Sequence, residues 1–285
     1  MRRPGIVIMG KLIGLIRPLV FFMVIAVMMG TAGYLCASFL TIAGAAGALM
    51  ALGQPLPAIF THTFRGIFLL LVCLGVLRGV LHYFEQECNH YIAFKLLAII
   101  RHQVFAALRR LCPAKLEGKD RGNLISLITS DIELLEVFYA HTISPIAIAF
   151  LTSLIMVWWI GSFHPLCGVL ALTGYSTVGI LLPLWNGKRG AAAGMAYRQQ
   201  FGRMNSFILD SLRGLQEILQ YGRQKERLEE LKRESGTLAK ENAQLKRHEG
   251  DSTAACGACI SLFSFAMLFL SLWLNARGSL NFSGM

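Results

Sequence analysis

Residues 78–97 read RGVLHYFEQECNHYIAFKLL and bring the first dense group of polar side chains directly after an apolar run, residues 67–77. On a helix that turns 100° per residue, four of these polar residues fall within about 60° of one another: Arg78, His82, Glu85 and Asn89. His90 lies along one flank of that stripe. A helix that leaves a membrane with one polar face turns that face toward protein, water or a ligand. The stretch therefore predicts a membrane helix that continues past its apolar run and carries a functional face.

Apolar runs of similar length recur along the rest of the chain. The 285 residues are 55% hydrophobic and 15% charged, whereas soluble domains have roughly a quarter of their residues charged. Each run is close to the ~20 residues with which a helix crosses the hydrocarbon of a bilayer. We predict an all-α, polytopic helical membrane protein with five spans, at about residues 18–42, 59–81, 143–159, 166–184 and 254–274.

The positive charges lie almost entirely on one side of these spans. Of the 27 lysines and arginines, 24 fall in residues 1–17, 82–142 and 185–251, which are separated by even numbers of spans. By the positive-inside rule, the N-terminus and both long arms, 82–142 and 185–253, are cytoplasmic in a plasma (inner) membrane. Residues 1–17 are basic and amphipathic, which predicts an elbow helix along the membrane surface. The net charge of +11 thus indicates topology and contact with membrane lipid, and it excludes nucleic acid as a partner.

Both arms have the pattern helix, short break, helix. The first break, residues 112–122, contains Pro113 and two glycines, and the second, residues 212–222, contains two glycines. After the second break, three leucines recur seven residues apart, which predicts coiled-coil packing along one stripe: Leu231, Leu238 and Leu245. The alternating charges of residues 225–234 are predicted to form a solvent-exposed face.

The breaks resemble segments of a known family. GNLISLITSD, residues 122–131, looks like the first intracellular loop of the transmembrane domain of ATP-binding-cassette (ABC) exporters, although Leu127 stands where that family usually has arginine. DSLRGLQEILQYG, residues 210–222, looks like the second loop. The resemblance covers roughly residues 10–275 and implies coupling helices that contact ATP-binding domains, at Leu116, Glu117, Gly118, Lys119, Asp120, Arg121, Gly122, Leu212, Arg213, Gly214, Leu215, Gln216 and Glu217.

Residues 78–97, followed by Arg101, narrow the resemblance to exporters of the CydC/CydD type, and especially to the CydC half. Such proteins act as heterodimers linked to the assembly of cytochrome bd, and export of cysteine or glutathione and association with haem have been proposed for them. The resemblance therefore implies a second exporter half as partner, in a heterodimer or homodimer, and haem as a cofactor. His90 matches the family position suspected in haem binding.

Two interpretations of the polar stripe stay open. In the first, Arg78, His82, Glu85 and His90 form a substrate or haem surface facing a central cavity, with Arg78 attracting an anionic group and His90 as the metal ligand. In the second, Arg78 extends to the cytoplasmic headgroups and pairs with Glu85, while the histidines emerge into water.

No phosphate-binding motif of the form GxxxxGK[ST] occurs in the 285 residues. The chain by itself is therefore predicted not to be an enzyme and to have no catalytic residue, with ATP and Mg²⁺ bound by ATP-binding domains elsewhere. The family's sixth span is not found either, so residues 275–285 are expected to be an external tail at a truncation. We predict the permease portion of an exporter of a small thiol, peptide or haem-related compound. The alternatives are a non-transporting membrane sensor or scaffold and a non-functional truncated fragment.

Overall fold

The computed structural model describes residues 17–54, 63–111 and 142–280, and within them it is helical with no strand. A short 3-10 turn, Arg17–Leu19, precedes the first of the α-helices, which are α1 Val20–Ala51, α2 Phe64–Leu111, α3 Ser144–Phe163, α4 Pro165–Ser176, α5 Leu182–Arg213, α6 Leu215–Gln220 and α7 Gln224–Ala276. A π-helical segment, Thr177–Leu181, joins α4 to α5 without a break. In the described part of the chain, five helices are long and apolar enough to cross a membrane when α4 and α5 are taken as one. This confirms the predicted polytopic helical membrane fold.

The chain forms two compact units, residues 1–156 and 157–281, with the boundary inside α3. In the first unit, α1 and α2 pack side by side in opposite directions along almost their whole length. Near one end of the pair, a Cβ added at Gly47 would lie 3.4 Å from Ile67. Near the other end, the rings of Phe22 and Tyr91 lie 4.7 Å apart. A buried cluster closes that end, formed by Leu19, Ile92, Leu96 and Ile100.

Helix α1 continues nine residues beyond the predicted end of the first span at residue 42. Residues 43–51 are mostly alanine and glycine and contain neither proline nor a charge, so nothing in them interrupts the helix. The helix ends at Gly53, whose φ of 69° is left-handed. The Gln54 N–H then donates to the Leu49 carbonyl at 3.0 Å, the pattern with which glycine commonly terminates helices.

Helix α2 is one unbroken helix of 48 residues. The prediction that the second span continues as a helix into the first arm is confirmed as far as Leu111. The predicted break of that arm, residues 112–122, lies outside the described residues, as do Pro55 and Pro57 of the preceding loop.

In the second unit, the last turn of α3 and the start of α4 form the predicted tight hairpin. Its only connecting residue is His164, whose Nδ1 accepts a hydrogen bond from the Leu166 N–H at 3.2 Å and caps α4. A Cβ on Gly168 would lie 2.8 Å from the Cα of Gly161, so the two helices approach backbone to backbone. Glycine is required at this contact because no side chain fits there.

Helices α5 and α7 pack along each other and form the second arm. The predicted stripe is present: Leu231, Leu238 and Leu245 are half-buried, and so are the residues between them at coiled-coil spacing, Glu234 and Glu241. Two of these five positions are therefore acidic. Glu234 accepts a hydrogen bond from Gln200 of α5 at 2.6 Å, and Gln200 is buried.

The prediction that residues 225–234 form one solvent-exposed charged face is wrong for part of that stretch. Lys232 and Glu229 are exposed and pair with each other. Arg227, Glu230 and Glu234 are half-buried instead. Alternating charges predict a solvent-exposed face because burying a charged group costs free energy. Here the pairing of Glu234 with Gln200 and of Arg227 with Glu230 offsets that cost.

Candidate functional site

The packing of α2 against α1 divides the polar stripe of residues 78–90 into a buried and an exposed part. Glu85 and Asn89 are buried, with only 4% and 2% of their surface exposed. Arg78, His82 and His90 are exposed. The four candidate residues Arg78, His82, Glu85 and His90 therefore do not form one surface in this unit: Glu85 faces α1, and the other three face outward.

Glu85 lies where α1 has no side chain. A Cβ added at Gly30 would lie 3.1 Å from the Glu85 carboxyl carbon and would collide with Ile148 of α3. The Glu85 carboxylate contacts His82 Nδ1 at 3.0 Å and lies 3.5 Å from Asn89 Nδ2, a long contact at the limit of a hydrogen bond. Among the described residues, the Glu85 carboxylate thus contacts His82, one helical turn away, and not Arg78. Spacing alone allowed both pairings.

The register of α1 and α2 places this buried pair beside apolar helix. Gly30 is ten residues, or about 15 Å, from the start of α1, and α1 carries no charged residue. Four buried oxygens of this unit have no hydrogen-bond partner among the described residues: Thr31 Oγ1, Asn89 Oδ1, Ser144 Oγ and Thr152 Oγ1. Ionisable and polar groups held inside a membrane helix bundle are costly and usually functional, so this interface is a candidate functional site.

His90 lies on the outward face, in an open cavity of about 680 Å³ lined by Glu87, His90, Tyr91, Phe94, Lys95 and Ala98. The rings of His90 and Phe94 stack with centroids 5.9 Å apart. The cavity thus combines an imidazole, two aromatic rings and a cation on successive turns of one helix. Among the described residues, no group of three or more histidine, cysteine or acidic side chains is placed to hold a bare metal ion.

The second candidate region is the tip of the arm formed by α5 and α7. Leu212 and Arg213 end α5, Gly214 is the joint, and Leu215, Gln216 and Glu217 begin the six-residue helix α6. Gly222 follows α6 with a left-handed φ of 65°, and the Arg223 N–H donates to the Ile218 carbonyl at 3.0 Å. The break predicted from two glycines is therefore a short helix held between two turns.

The surface of this tip is unusually apolar for the end of a hairpin. Tyr221 is 75% exposed. Three leucines beside it are also exposed by about half or more: Leu212, Leu215 and Leu219. Exposed apolar groups that cluster at one place mark interaction surfaces, so the tip is a candidate contact surface.

Arg227 joins α7 to α5 next to the tip, a contact that the sequence did not predict. Its guanidinium lies 3.8 Å from the centroid of the Phe207 ring, donates to Ser211 Oγ at 2.9 Å and pairs with Glu230 at 2.9 Å. Phe207 and Ser211 belong to the other helix of the arm, so no local spacing indicates the contact. Beside it, the Arg223 guanidinium donates two hydrogen bonds to Glu226 and lowers the pKa of that exposed carboxyl.

The other predicted coupling residues, Leu116, Glu117, Gly118, Lys119, Asp120, Arg121 and Gly122, lie outside the described residues. Their role stays a prediction from sequence.

This chain matches the model of a known protein family and several known proteins. The family model described as ABC transporter transmembrane region matches residues 7–285. A "Probable ABC transporter ATP-binding/permease protein" of Haemophilus influenzae is 42% identical over 284 residues, which cover 99% of this chain and 50% of that protein.

Two Escherichia coli proteins are also similar, the "Glutathione/L-cysteine transport system ATP-binding/permease protein" CydD and its counterpart CydC. CydD is 26% identical over 183 residues, 63% of this chain and 30% of CydD. CydC is 27% identical over 207 residues, 72% of this chain and 35% of CydC. The chain thus spans half the length of the Haemophilus relative and about a third of the other two. The matches confirm the resemblance found in the sequence.

Proposed function

This chain belongs to the family of ABC transporter transmembrane regions, and on that premise we propose that it is the permease portion of an ATP-driven exporter. Its substrate is a small thiol, a peptide or a haem-related compound, and its work is linked to cytochrome bd assembly. The relatives' names support a transporter of a thiol compound: two of them are glutathione/L-cysteine transport proteins, and all three names combine ATP-binding and permease parts. The haem-related substrate and the link to cytochrome bd assembly rest on the resemblance of residues 78–97. The N-terminus and both arms are cytoplasmic, in the plasma membrane.

The observation that carries the proposal is the apolar tip at the end of the second arm. ATP hydrolysis belongs to an ATP-binding domain, in the longer protein or on a second chain, and a second exporter half completes the transporter. Leu215, Leu219 and Tyr221 supply the contact with that domain. Because α5 and α7 run unbroken from the tip into the membrane, a push on the tip moves the spans as rigid rods. Such rigid-body motion alternates the access of a central site.

Transport by the full-length protein tests the proposal. The protein is reconstituted in vesicles with its ATP-binding side outward, and labelled glutathione, cysteine and a short peptide are offered with ATP. We expect ATP-dependent accumulation of at least one of them, with a non-hydrolysable ATP analogue as the control. ATP hydrolysis without accumulation of any, combined with retained binding of a cytosolic partner at the arms, would establish the sensor or scaffold function instead.

The exposed side of α2 is the proposed substrate surface. Arg78 and His82 lie on it within one turn of each other. A guanidinium near the membrane costs roughly 2.5–3.5 kcal/mol on insertion scales, and an anionic substrate such as a thiol peptide offsets that cost by pairing with it. Substitution Arg78→Gln is expected to raise the substrate concentration for half-maximal transport, whereas Arg65→Gln near the start of α2 is not.

A second candidate function, haem binding, is favoured by the cavity around His90. The residues present fit the group: His90 would offer its imidazole to the iron, Phe94 and Tyr91 would supply aromatic contacts, and Lys95 would pair with a propionate. When bound, haem would supply a redox-active iron.

Absorbance titration with haemin tests this assignment. His90→Ala is expected to shift or abolish the Soret band of the wild-type protein, while His82→Ala leaves it unchanged because the His82 side chain belongs to the Glu85 pair. Identical Soret bands in all three proteins would remove His90 as the ligand.

A further inference from the structure

The second arm contains a cavity of about 1000 Å³ between α5 and α7, lined by both apolar and charged side chains, that the transport mechanism does not use. It is lined by the start of α5 and by the middle of α7, around Trp185, Arg189, His248, Asp251 and Ser252. The two helices are joined there by a hydrogen bond from Asn186 Nδ2 to Ser252 Oγ, 2.7 Å long. The cavity is thus a fixed part of the unit, with its two walls tied together.

Its position along the helices corresponds to the edge of the membrane. Trp185 is twenty residues from Pro165, where α4 starts, and twenty residues of helix rise about 30 Å, the thickness of the hydrocarbon. Counting back from the end of α7, Ser252 is twenty-four residues, or about 36 Å, from Ala276. Both estimates put the cavity at the headgroup level, where tryptophan is enriched. On the orientation proposed above, this is the cytoplasmic leaflet.

Arg189 is positioned in this cavity to bind an anion. Its guanidinium lies 4.0 Å from the centroid of the Trp185 ring, and stacking on a ring leaves the N–H edge of a guanidinium available to a phosphate. In the described part of the chain, no carboxylate lies within ion-pair distance of Arg189. Lys188 and Arg247 add positive charge on the same stretches of α5 and α7.

Asp251 supplies the opposite charge from the other wall. Glu249, which also lines the cavity, is neutralised by Lys246 at 2.6 Å, but no basic side chain of the described residues pairs with Asp251. Arg189 and Asp251 therefore face one cavity as unpaired charges of opposite sign. A ligand that carries both a phosphate and an ammonium group can pair with both residues, whereas a purely anionic ligand leaves the Asp251 carboxylate unpaired and is repelled by it.

A second cavity lies further into the membrane, between α3, α4 and the π-helical segment on one side and α7 on the other. It has a volume of about 610 Å³ and almost wholly apolar walls, which include Gly174, Val178, Ile260 and Phe263. From Trp185 to Gly174 is eleven residues, or about 16 Å of helix, and this equals the depth of one leaflet. An acyl chain that starts at the headgroup level therefore ends at this apolar cavity.

We propose that the seam between α4–α5 and α7 binds a phosphatidylethanolamine molecule, with its phosphate on Arg189, its ammonium group at Asp251 and one acyl chain in the apolar cavity. The lipid bridges the membrane part of the unit and the root of the second arm.

Native mass spectrometry of the full-length protein in detergent tests the proposal, by titration with phosphatidylethanolamine, phosphatidylcholine and phosphatidylglycerol of identical acyl chains. We expect phosphatidylethanolamine to bind about fivefold or more tightly than the other two, the size of one charge contact near a membrane surface. Equal binding of the three lipids, or tighter binding of phosphatidylglycerol, would overturn the assignment. Soluble phosphoethanolamine that binds as tightly as the lipid would show a site for a free solute instead.

Two charge variants separate the two contacts. Arg189→Gln is expected to weaken the binding of all three lipids about fivefold. Arg203→Gln makes the same change on the exposed face of the same helix, about 21 Å away, and is expected to leave the binding of all three lipids unchanged. Asp251→Asn is expected to lower the affinity for phosphatidylethanolamine to that for phosphatidylcholine. Glu229→Gln is its control and is expected to leave the affinities unchanged. If either variant behaves like its control, the corresponding contact is absent.

The acyl-chain contact has its own variant. Val178→Trp fills the apolar cavity and is expected to weaken long-chain phosphatidylethanolamine while leaving the dihexanoyl form unaffected. Unchanged binding of the long-chain lipid would remove the apolar cavity from the site.

Discussion

At the scale of single residues, Gly30 decides where the buried carboxylate of the first unit lies. Because Gly30 has no side chain, Ile148 and the carboxyl group of Glu85 reach the backbone of α1. The neighbouring helix therefore provides space for a group that the apolar α1 would otherwise exclude. A glycine among the apolar residues of a span indicates close packing, but it does not reveal that an acid is one of its neighbours.

Substitution Gly30→Ala is expected to destabilise the protein by about 1–3 kcal/mol, the usual range for overpacking a core. The added Cβ collides with Ile148 and pushes on Glu85. Thermal unfolding in detergent, followed by thiol-reactive fluorescence, measures the change. Gly44→Ala is the matched control: it lies in the same helix with open space around its Cα and is expected to be neutral or stabilising, because alanine is the better helix former. Equal melting temperatures of the two variants would contradict the packing seen here.

Substitution Glu85→Ala is expected to cost about 1–3 kcal/mol, since it removes the carboxylate beside the buried Asn89 and leaves that amide without this neighbour. Glu85→Gln keeps an oxygen in place and is expected to cost less. The same thermal assay ranks them. His82→Ala serves as the control, because 58% of the His82 side chain is exposed and it supports Glu85 from one side only. If His82→Ala is the most destabilising of the three, the ion pair and not the burial of Glu85 holds this interface.

At the scale of elements, the second arm is a pair of long helices with a short helix at their tip. Its rigidity comes from the half-buried stripe of α7 and from polar contacts between the helices, in particular Gln200 with Glu234 and Arg227 with Ser211. The tip is closed by Gly222, which adopts a backbone conformation that other residues adopt only at a cost.

Substitution Gly222→Ala is expected to destabilise the tip by about 1 kcal/mol, because its φ of 65° is unfavourable for a residue with a Cβ. Gly236→Ala is expected to have the opposite sign, a gain of about 1 kcal/mol, since Gly236 lies inside α7 with open space around it. Hydrogen exchange of the amides of residues 214–236 measures both effects in one experiment. Faster exchange in both variants would show that Gly222 is not the end of an ordered helix.

At the scale of the whole molecule, the proposed transport function requires that movement at the tip be passed on to the spans. An ATP-binding domain that contacts the tip would supply that movement. The exposed apolar side chains of the tip are the part of the described surface that suits such a contact.

Substitution Tyr221→Ser is expected to lower ATP-dependent transport by the full-length protein by about tenfold or more. An aromatic side chain that becomes buried on contact with a partner typically dominates the binding free energy of an interface. The control is Leu228→Ser on α7, a side chain that is half exposed but lies beyond the tip. ATP hydrolysis is measured beside transport, and we expect Tyr221→Ser to uncouple the two. Transport that falls equally in both variants would show that general damage to the arm, and not contact at the tip, is responsible.

How much of the candidate site followed from sequence differs between its residues. The tip residues 212–217 could be located because glycines and a family motif mark the break. The stripe of residues 78–90 could also be recognised from the sequence, because polar residues at helical spacing are visible within one segment. Which of its members is buried could not be predicted, because Arg78, His82, Glu85 and Asn89 share one face and only α1 separates them.

The sequence by itself determined the helical membrane fold, the five long apolar helices of the described residues and the family. These depend on apolar length and on local motifs, which are properties of single segments. Only the tertiary structure decided that Glu85 packs at Gly30, that Arg227 joins α7 to α5 through Phe207, and that Arg189 and Asp251 face one cavity. Each of these joins residues on different helices, and the free energy of such contacts depends on helix register and rotation, which hydropathy does not encode.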